Sequence, residues 1–111
     1  MALTDKKCGP CEGGVPPLAS SEVKRLRGEI EAAWEVVGEK KLRREWRWQS
    51  FAAAAAWVNR VADLAEQEGH HPDLHWYYRT VVLELTTHAI NGLSENDFIL
   101  AAKIDQLGGV K

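Results

Sequence analysis

The stretch Ser50-FAAAAAWVNRVADLAEQE-Gly69, followed at once by His70-His71-Pro72, decides how this chain is read. Alanine has the best helix propensity, and five in a row after a serine predict a helix from Ser50 to about Glu68. Phe51, Ala54, Ala55, Val58, Val61, Ala62 and Ala65 fall on one stripe, with Trp57 and Leu64 on a second flank. The small residues of that stripe let the helix lie close to a sheet. Gly69 sits where a helix ends in the left-handed conformation. His-His-Pro then reads as a stiffened turn, because proline pushes the residue before it toward an extended backbone.

Outward from the helix, periodicity changes from helical to alternating. On the N-terminal side, Ser20 or Ser21 is placed to cap a helix running to about Ile30, with Val23, Leu26 and Ile30 on its buried face. Trp34 to Val37 predicts a short strand, Gly38-Glu39-Lys40 a turn, and Lys41 to Trp48 a second strand. Leu42, Trp46 and Trp48 share one face of that strand, and Arg43, Glu45 and Arg47 the other. Arg44 interrupts the apolar face and is expected to snorkel at its edge. On the C-terminal side, Leu74–Tyr78 and Thr80–His88 predict a second hairpin. Val81, Leu83 and Leu85 point one way, and Thr80, Val82, Glu84, Thr86 and His88 the other. Asn91-Gly92 marks a turn, and Ser94-x-x-Asp97 opens a last helix with a capping pattern.

The order is α-β-β-α-β-β-α. It predicts an α+β, two-layer sandwich: a four-stranded antiparallel sheet with three helices on one face. The last helix is apolar at Phe98, Ile99, Leu100, Ala101, Ala102, Ile104 and Leu107, nearly all round. It is therefore expected to need two partners, its own sheet and another subunit, which predicts a homodimer or homotetramer.

Size and charge narrow the function. The chain has 111 residues, enough for one domain, here expected over residues 20–111. Residues 1–19 read as a flexible Gly/Pro-rich arm carrying Cys8-x-x-Cys11. Those cysteines are read as reduced thiols on the arm, or as a metal or redox clip completed by another chain; four zinc ligands are not present in the motif. A net charge of −2 argues against direct nucleic-acid binding. No apolar run approaches the roughly 20 residues of a membrane span. No secretory leader precedes Asp5-Lys6-Lys7, so a cytoplasmic location is expected, with an organelle after removal of a leader kept open.

All four histidines fall between His70 and His88. The pattern is Glu66-x-x-x-His70-His71-Pro72, then Tyr78, His88 and Asp97. Three readings stand side by side: packing and surface histidines, a three-histidine metal site, and metal-free acid–base catalysis. A metal site needs imidazoles converging on one ion, and the three motif histidines show neither HxH nor HxxxH spacing. Acid–base work suits imidazole, whose ordinary pKa of about 6.5 lies near neutral pH. Glu66 and Asp97 each carry a plainer alternative, a helix-end carboxylate and a helix cap.

Glu66-Gln67-Glu68-Gly69-His70-His71-Pro72, Thr87-His88 and Gly92-Leu93-Ser94-Glu95-Asn96-Asp97 closely resemble the pterin-4a-carbinolamine dehydratase family, also known as the dimerization cofactor of a homeodomain transcription factor. The resemblance covers about residues 18–107. It implies dehydration of a 4a-hydroxytetrahydropterin to quinonoid dihydropterin in tetrahydrobiopterin recycling, with no metal and no cofactor. It implies that His70, His71 and His88 are catalytic and that Glu66, Pro72, Tyr78 and Asp97 bind substrate or support the site. Glu66 is expected to hold His70 from one helical turn earlier. The resemblance equally implies a possible protein partner, since members of this fold act as a transcriptional coactivator or an assembly factor. Gly69 stands where some members carry Asp, and Leu74 where some carry an aromatic residue.

Overall fold

The computed structural model describes residues 3–9 and 16–107. Within them, α1 spans Ser20–Arg27, β1 Glu35–Val37, β2 Lys41–Arg47, α2 Phe51–Glu68, β3 Asp73–Tyr77, β4 Thr80–Leu85 and α3 Glu95–Gln106. The sheet is antiparallel with strand order β1-β2-β4-β3, so β2 and β4 are central and β1 and β3 are edges. This is the α+β sandwich expected from the order of elements.

The register explains which face is covered. Leu42 lies opposite Leu85, and Trp46 opposite Val81. All four side chains are buried with Leu83, Val23 and Leu26 of α1, Ala54, Trp57 and Val61 of α2, and Phe98, Leu100 and Ile104 of α3. The other face carries Glu35, Arg43, Glu45, Asp73 and Glu84. Tryptophans join sheet to helix. Trp34 meets Trp46 edge-on at 5.5 Å, and Trp57 of α2 lies 4.4 Å from Trp46 and 5.1 Å from Trp48. Such aromatic pairs add about 0.5–1.5 kcal/mol each beyond the area they bury.

Helix ends follow local chemistry, with differences. Ser50 caps α2, its hydroxyl accepting from Ala53 N at 3.0 Å. Gly69 has φ 68°, the left-handed conformation in which glycine pays no Cβ penalty. For α1 the cap position is Ala19, with no side-chain cap, and neither Ser20 nor Ser21 serves; the helix stops at Arg27, ahead of Gly28, rather than near Ile30. β4 also ends sooner than expected, at Leu85. Thr87 forms an isolated bridge to Gly92, and His88 opens a short 3₁₀ turn, His88–Ile90. His88 therefore sits on a turn and not on a strand.

Two further expectations are corrected. Arg44 does not snorkel. Its guanidinium lies 4.5 Å from the Trp46 ring and 2.9 Å from Asp105 of α3, which also accepts from Trp34 Nε1 and Glu31 N. Burial pushes the Asp105 carboxyl above its ordinary range, and those hydrogen bonds and the Arg44 charge only partly offset it. The second concerns α3, whose apolar circumference suggested a second subunit. The chain covers it unaided: Leu3 and Cys8, from the stretch read as an arm, join the buried cluster that contains α3. Leu3–Asp5 forms a 3₁₀ turn. Cys11 lies outside the described residues, so the Cys-x-x-Cys reading is not addressed by the fold.

Candidate active site

The site is built where α2 ends, β3 begins, β4 exits and α3 starts. Left-handed Gly69 reverses the chain after α2, and the N–H groups of Gly69 and His70 both reach the Ala65 carbonyl, at 2.9 and 3.3 Å. That reversal separates the two adjacent imidazoles. His70 turns inward and is 6% exposed, while the His71 side chain stays outside at 61%.

Inside, His70 Nε2 lies 2.6 Å from Asp97 Oδ1. Asp97 has no exposed surface. Its second oxygen accepts from Thr87 Oγ1 and from Ser94 N, both at 2.9 Å. The Ser94 contact is half of a capping box, so Asp97 both caps α3 and grips His70. The helix-cap reading of Asp97 is thus met, and the same carboxylate touches His70. Outside, His71 Nε2 lies 2.9 Å from Glu66 Oε2. Glu66 was expected on His70; the reversal at Gly69 is what brings His71 back over the last turn of α2 in its place.

His88 completes the arrangement. Its Nε2 lies 3.3 Å from Asp73 Oδ2, with side-chain exposures of 73% and 48%. Asp73 follows Pro72 and pairs across the ladder with Glu84, one residue before β4 ends, which brings it beside the turn that carries His88. The contacts close a ring. His70, His71, Pro72 and Asp73 are consecutive, Asp73 meets His88, Thr87 precedes His88, and Thr87 meets Asp97, which returns to His70. Thus Glu66, His70, His71, Pro72, His88 and Asp97 are brought together by the fold.

Tyr78 is not. It occupies the far turn of the β3–β4 hairpin with φ 53°, at the opposite end of β3 from Asp73, so the strand holds it roughly 16 Å from that residue. There it belongs to a layer of near-parallel rings, with Phe51 4.9 Å from Trp76 and 6.5 Å from Tyr78. The fourth histidine, His75, lies on β3 and meets Glu84 at 3.3 Å. Glu84 is held below the ordinary carboxylate range chiefly by its hydrogen bond from Lys41; burial opposes this, and His75 adds to it.

Asp73, Thr87 and Ser94 were missed as site residues. A signal for Asp73 existed: an acidic residue opening the strand that pairs beside the exit toward His88. Beside His71 and Pro72 lies an apolar hollow of about 240 Å³, walled by Val58, Val61, Ala62, Ala65 and Leu74. It offers a wall for the flat face of a small heterocycle. Among the described residues, no three His, Cys, Asp or Glu side chains are placed to hold a metal ion. No helix among them is long and apolar enough to cross a membrane.

Comparison with known proteins gives the family and the fold. The family model described as pterin 4 alpha carbinolamine dehydratase matches residues 16–107. A protein of Rubrobacter xylanophilus named "Putative pterin-4-alpha-carbinolamine dehydratase" is 47% identical over 105 residues, covering 95% of this chain and 97% of that protein. A relative of the same name in Alkaliphilus metalliredigens is 44% identical, covering 94% of each. Among solved structures, a transcriptional coactivator/pterin dehydratase from Brucella melitensis superposes with a TM-score of 0.77 at 29% identity, over 84% of this chain and 99% of that one. A pterin dehydratase-like protein described as a RuBisCO assembly factor in the alpha-carboxysome shares the fold, with a TM-score of 0.61 at 24% identity, over 73% of this chain and 95% of that one.

Proposed function

The chain belongs to the pterin-4a-carbinolamine dehydratase family, and from that premise we propose that it dehydrates a 4a-hydroxytetrahydropterin to quinonoid dihydropterin, in tetrahydrobiopterin recycling, by histidine acid–base catalysis. The observation that carries the proposal is the ring of contacts, in which each of the three motif histidines has Nε2 on a carboxylate. The elimination breaks the C4a–O bond, the leaving hydroxyl takes a proton to depart as water, and the neighbouring ring nitrogen loses one as the C=N bond forms. A proton donor and a proton acceptor suffice, and imidazole serves as either near neutral pH. No metal or cofactor takes part in this scheme.

His70 and His88 carry the proton transfers, and His71 holds and polarises the pterin. Asp97 fixes the orientation of the inner imidazole, as a buried carboxylate does for a catalytic histidine. Pro72 holds the turn between the two rings, and the apolar hollow beside it receives the flat bicycle. The test is direct: disappearance of 4a-hydroxytetrahydropterin absorbance with and without the protein. A rate equal to the spontaneous one overturns the proposal.

A second reading, a protein-interaction module, is favoured by one observation. Phe51, Tyr77 and Tyr78 are exposed around the tip of β3, at the opposite end of that strand from His71. β3 is an edge strand, and an open edge can pair with a second copy. We assign this edge to a homodimer or homotetramer rather than to α3, which the chain already covers, and place the protein in the cytoplasm. Light scattering at micromolar concentration tests the assembly: Tyr77→Asp should shift it toward monomer, and a monomeric wild type overturns it.

A further inference from the structure

The site residues implied by family resemblance leave His88 without a partner of its own. His70 has Asp97 and His71 has Glu66, and both carboxylates belong to the recognised pattern. The structure places a carboxylate 3.3 Å from His88 Nε2, from a residue outside that pattern. We propose that Asp73 is a positioning residue of the dehydratase site, holding the His88 imidazole by Nε2 so that Nδ1 faces the substrate. The inference rests on the dehydratase reading and deepens it.

Three observations support it. The first is the shared geometry. All four histidines of the chain turn Nε2 toward a carboxylate: His70 to Asp97, His71 to Glu66 and His75 to Glu84 in hydrogen bonds, and His88 to Asp73 in a charge contact at 3.3 Å. A ring whose Nε2 faces a carboxylate leaves Nδ1 as the nitrogen turned away from it and open to a ligand.

The second is the division of labour on the open face of the sheet. Asp73 and Glu84 are directly opposed across the β3–β4 ladder. Glu84 is engaged on both sides, by Lys41 at 3.1 Å and by His75 at 3.3 Å, with Arg43 its ladder neighbour on β2. Glu84 is thus spoken for, and Asp73 is the carboxylate turned to His88.

The third is position in the chain. Asp73 directly follows Pro72, which limits the backbone entering β3, and His88 directly follows Thr87, which is tied to Asp97 and to Gly92. Both ends of the Asp73–His88 contact are therefore anchored to the ring that holds the other two histidines. His88 is the most exposed of the three rings. Without Asp73, nothing in that ring of contacts would restrain its side-chain torsions.

Exposure sets the size of the effect. The buried carboxylate of a Ser-His-Asp triad is worth about 10⁴ in kcat, but exposed charge pairs couple far more weakly. Asp73→Ala should lower kcat about two- to fivefold, the range of an exposed pair. The double-mutant cycle with His88→Ala tests whether Asp73 acts through His88. Asp73→Ala should cost two- to fivefold in the wild-type background and nothing further in the His88→Ala background, and Asp73→Glu should restore most of the rate. Carbon-13 relaxation of the ring Cε1–H group supplies a readout independent of turnover. The His88 ring should lose order in Asp73→Ala while the His71 ring, held by Glu66, does not. Equal rate losses in both backgrounds, or an unchanged His88 ring, overturn the proposal. If wild type shows no dehydratase turnover, the functional reading fails by itself, and the ring measurement still decides the pairing: lost order upholds it, unchanged order overturns it.

Discussion

Asp97 joins the stability of the fold to the chemistry of the site, and two substitutions at this position separate them. Asp97→Ala removes the acceptor for Ser94 N, Thr87 Oγ1 and His70 Nε2 together. Loss of a helix cap costs about 1 kcal/mol, and each buried polar group left without a partner about 1–3 kcal/mol. The whole change should reach about 3–5 kcal/mol, the usual cost of removing one member of a buried pair. For a domain of this size that lowers Tm by roughly 12–20 °C. Asp97→Asn is different. Its carbonyl oxygen can still accept from Ser94 N and Thr87, so the cap survives. Its amide NH₂ then faces His70 Nε2 and donates, which forces the imidazole proton onto the other nitrogen. The Asn variant should unfold within about 1.5 kcal/mol of wild type, a single altered hydrogen bond. Its kcat should nonetheless fall about 10²- to 10⁴-fold, the range between losing a general acid and inverting a triad histidine. Urea unfolding and initial rates on the same samples read both quantities. An Asn variant within twofold of wild-type kcat, or an Ala variant losing less than about 1 kcal/mol, the typical cost of a lone cap, would refute the double role.

Three other outcomes follow from the same geometry. His70→Ala and His88→Ala should each reduce kcat about 10²- to 10⁴-fold, and His71→Ala should also raise KM; kinetics on resolved 4a-hydroxy epimers should show each loss falling harder on one epimer, and near-wild-type turnover of both by the double variant would remove the assignment. Dialysis against a chelator should leave the rate unchanged, since the proposed protons move between imidazoles and the pterin; activity lost with a stoichiometric metal and restored by it would contradict the scheme. Glu84, held below its ordinary 4.5 chiefly by Lys41, binds fewer protons folded than unfolded, so its stabilisation is present above that pH and lost as pH falls through the folded value. Because the pair is at the surface, Glu84→Gln should cost only about 0.2–1 kcal/mol near pH 7, a gap to wild type that closes in acid; a gap constant with pH in chemical denaturation would count against it. Asp105, raised by burial, titrates with the opposite sign, so only the difference between the two proteins isolates Glu84.

The parts legible from sequence were those set by local periodicity and local chemistry. The alanine-rich α2, left-handed Gly69, the alternation of Val81, Leu83 and Leu85, and the Ser94–Asp97 capping pattern all act within a few residues. The parts that were not legible depend on where separate segments meet. Whether Glu66 reaches His70 or His71 turns on the direction the chain takes after Gly69. Whether Arg44 snorkels or turns inward depends on Asp105, 61 residues away. That α3 needs no second subunit depends on Leu3 and Cys8, which composition placed in a Gly/Pro-rich arm. Tyr78 entered the site as part of the pattern that the resemblance carries, but a strand of five residues takes it to the other end of the sheet.

The strap formed by residues 3–9 bears on where the working unit begins. Cys8 donates its backbone N–H to Glu68 Oε1 at 3.0 Å, two residues before His70. Gly9 and Asn96 exchange hydrogen bonds at 2.9 and 2.8 Å, one residue before Asp97. Lys6 and Lys7 fasten the same strap to Glu95 and to the Gln67 carbonyl. Burial pushes the Glu68 carboxyl up, yet Lys103, the Cys8 N–H and the charge of Lys7 together hold it below its ordinary range, ready to grip the strap. One short segment thus clasps the chain just ahead of each partner in the His70–Asp97 pair. The family pattern starts at residue 16, but mechanically the support of the His70–Asp97 pair starts at residue 3. A protein trimmed to the pattern would keep every histidine and lose the clasp that sets the distance between two of its parts.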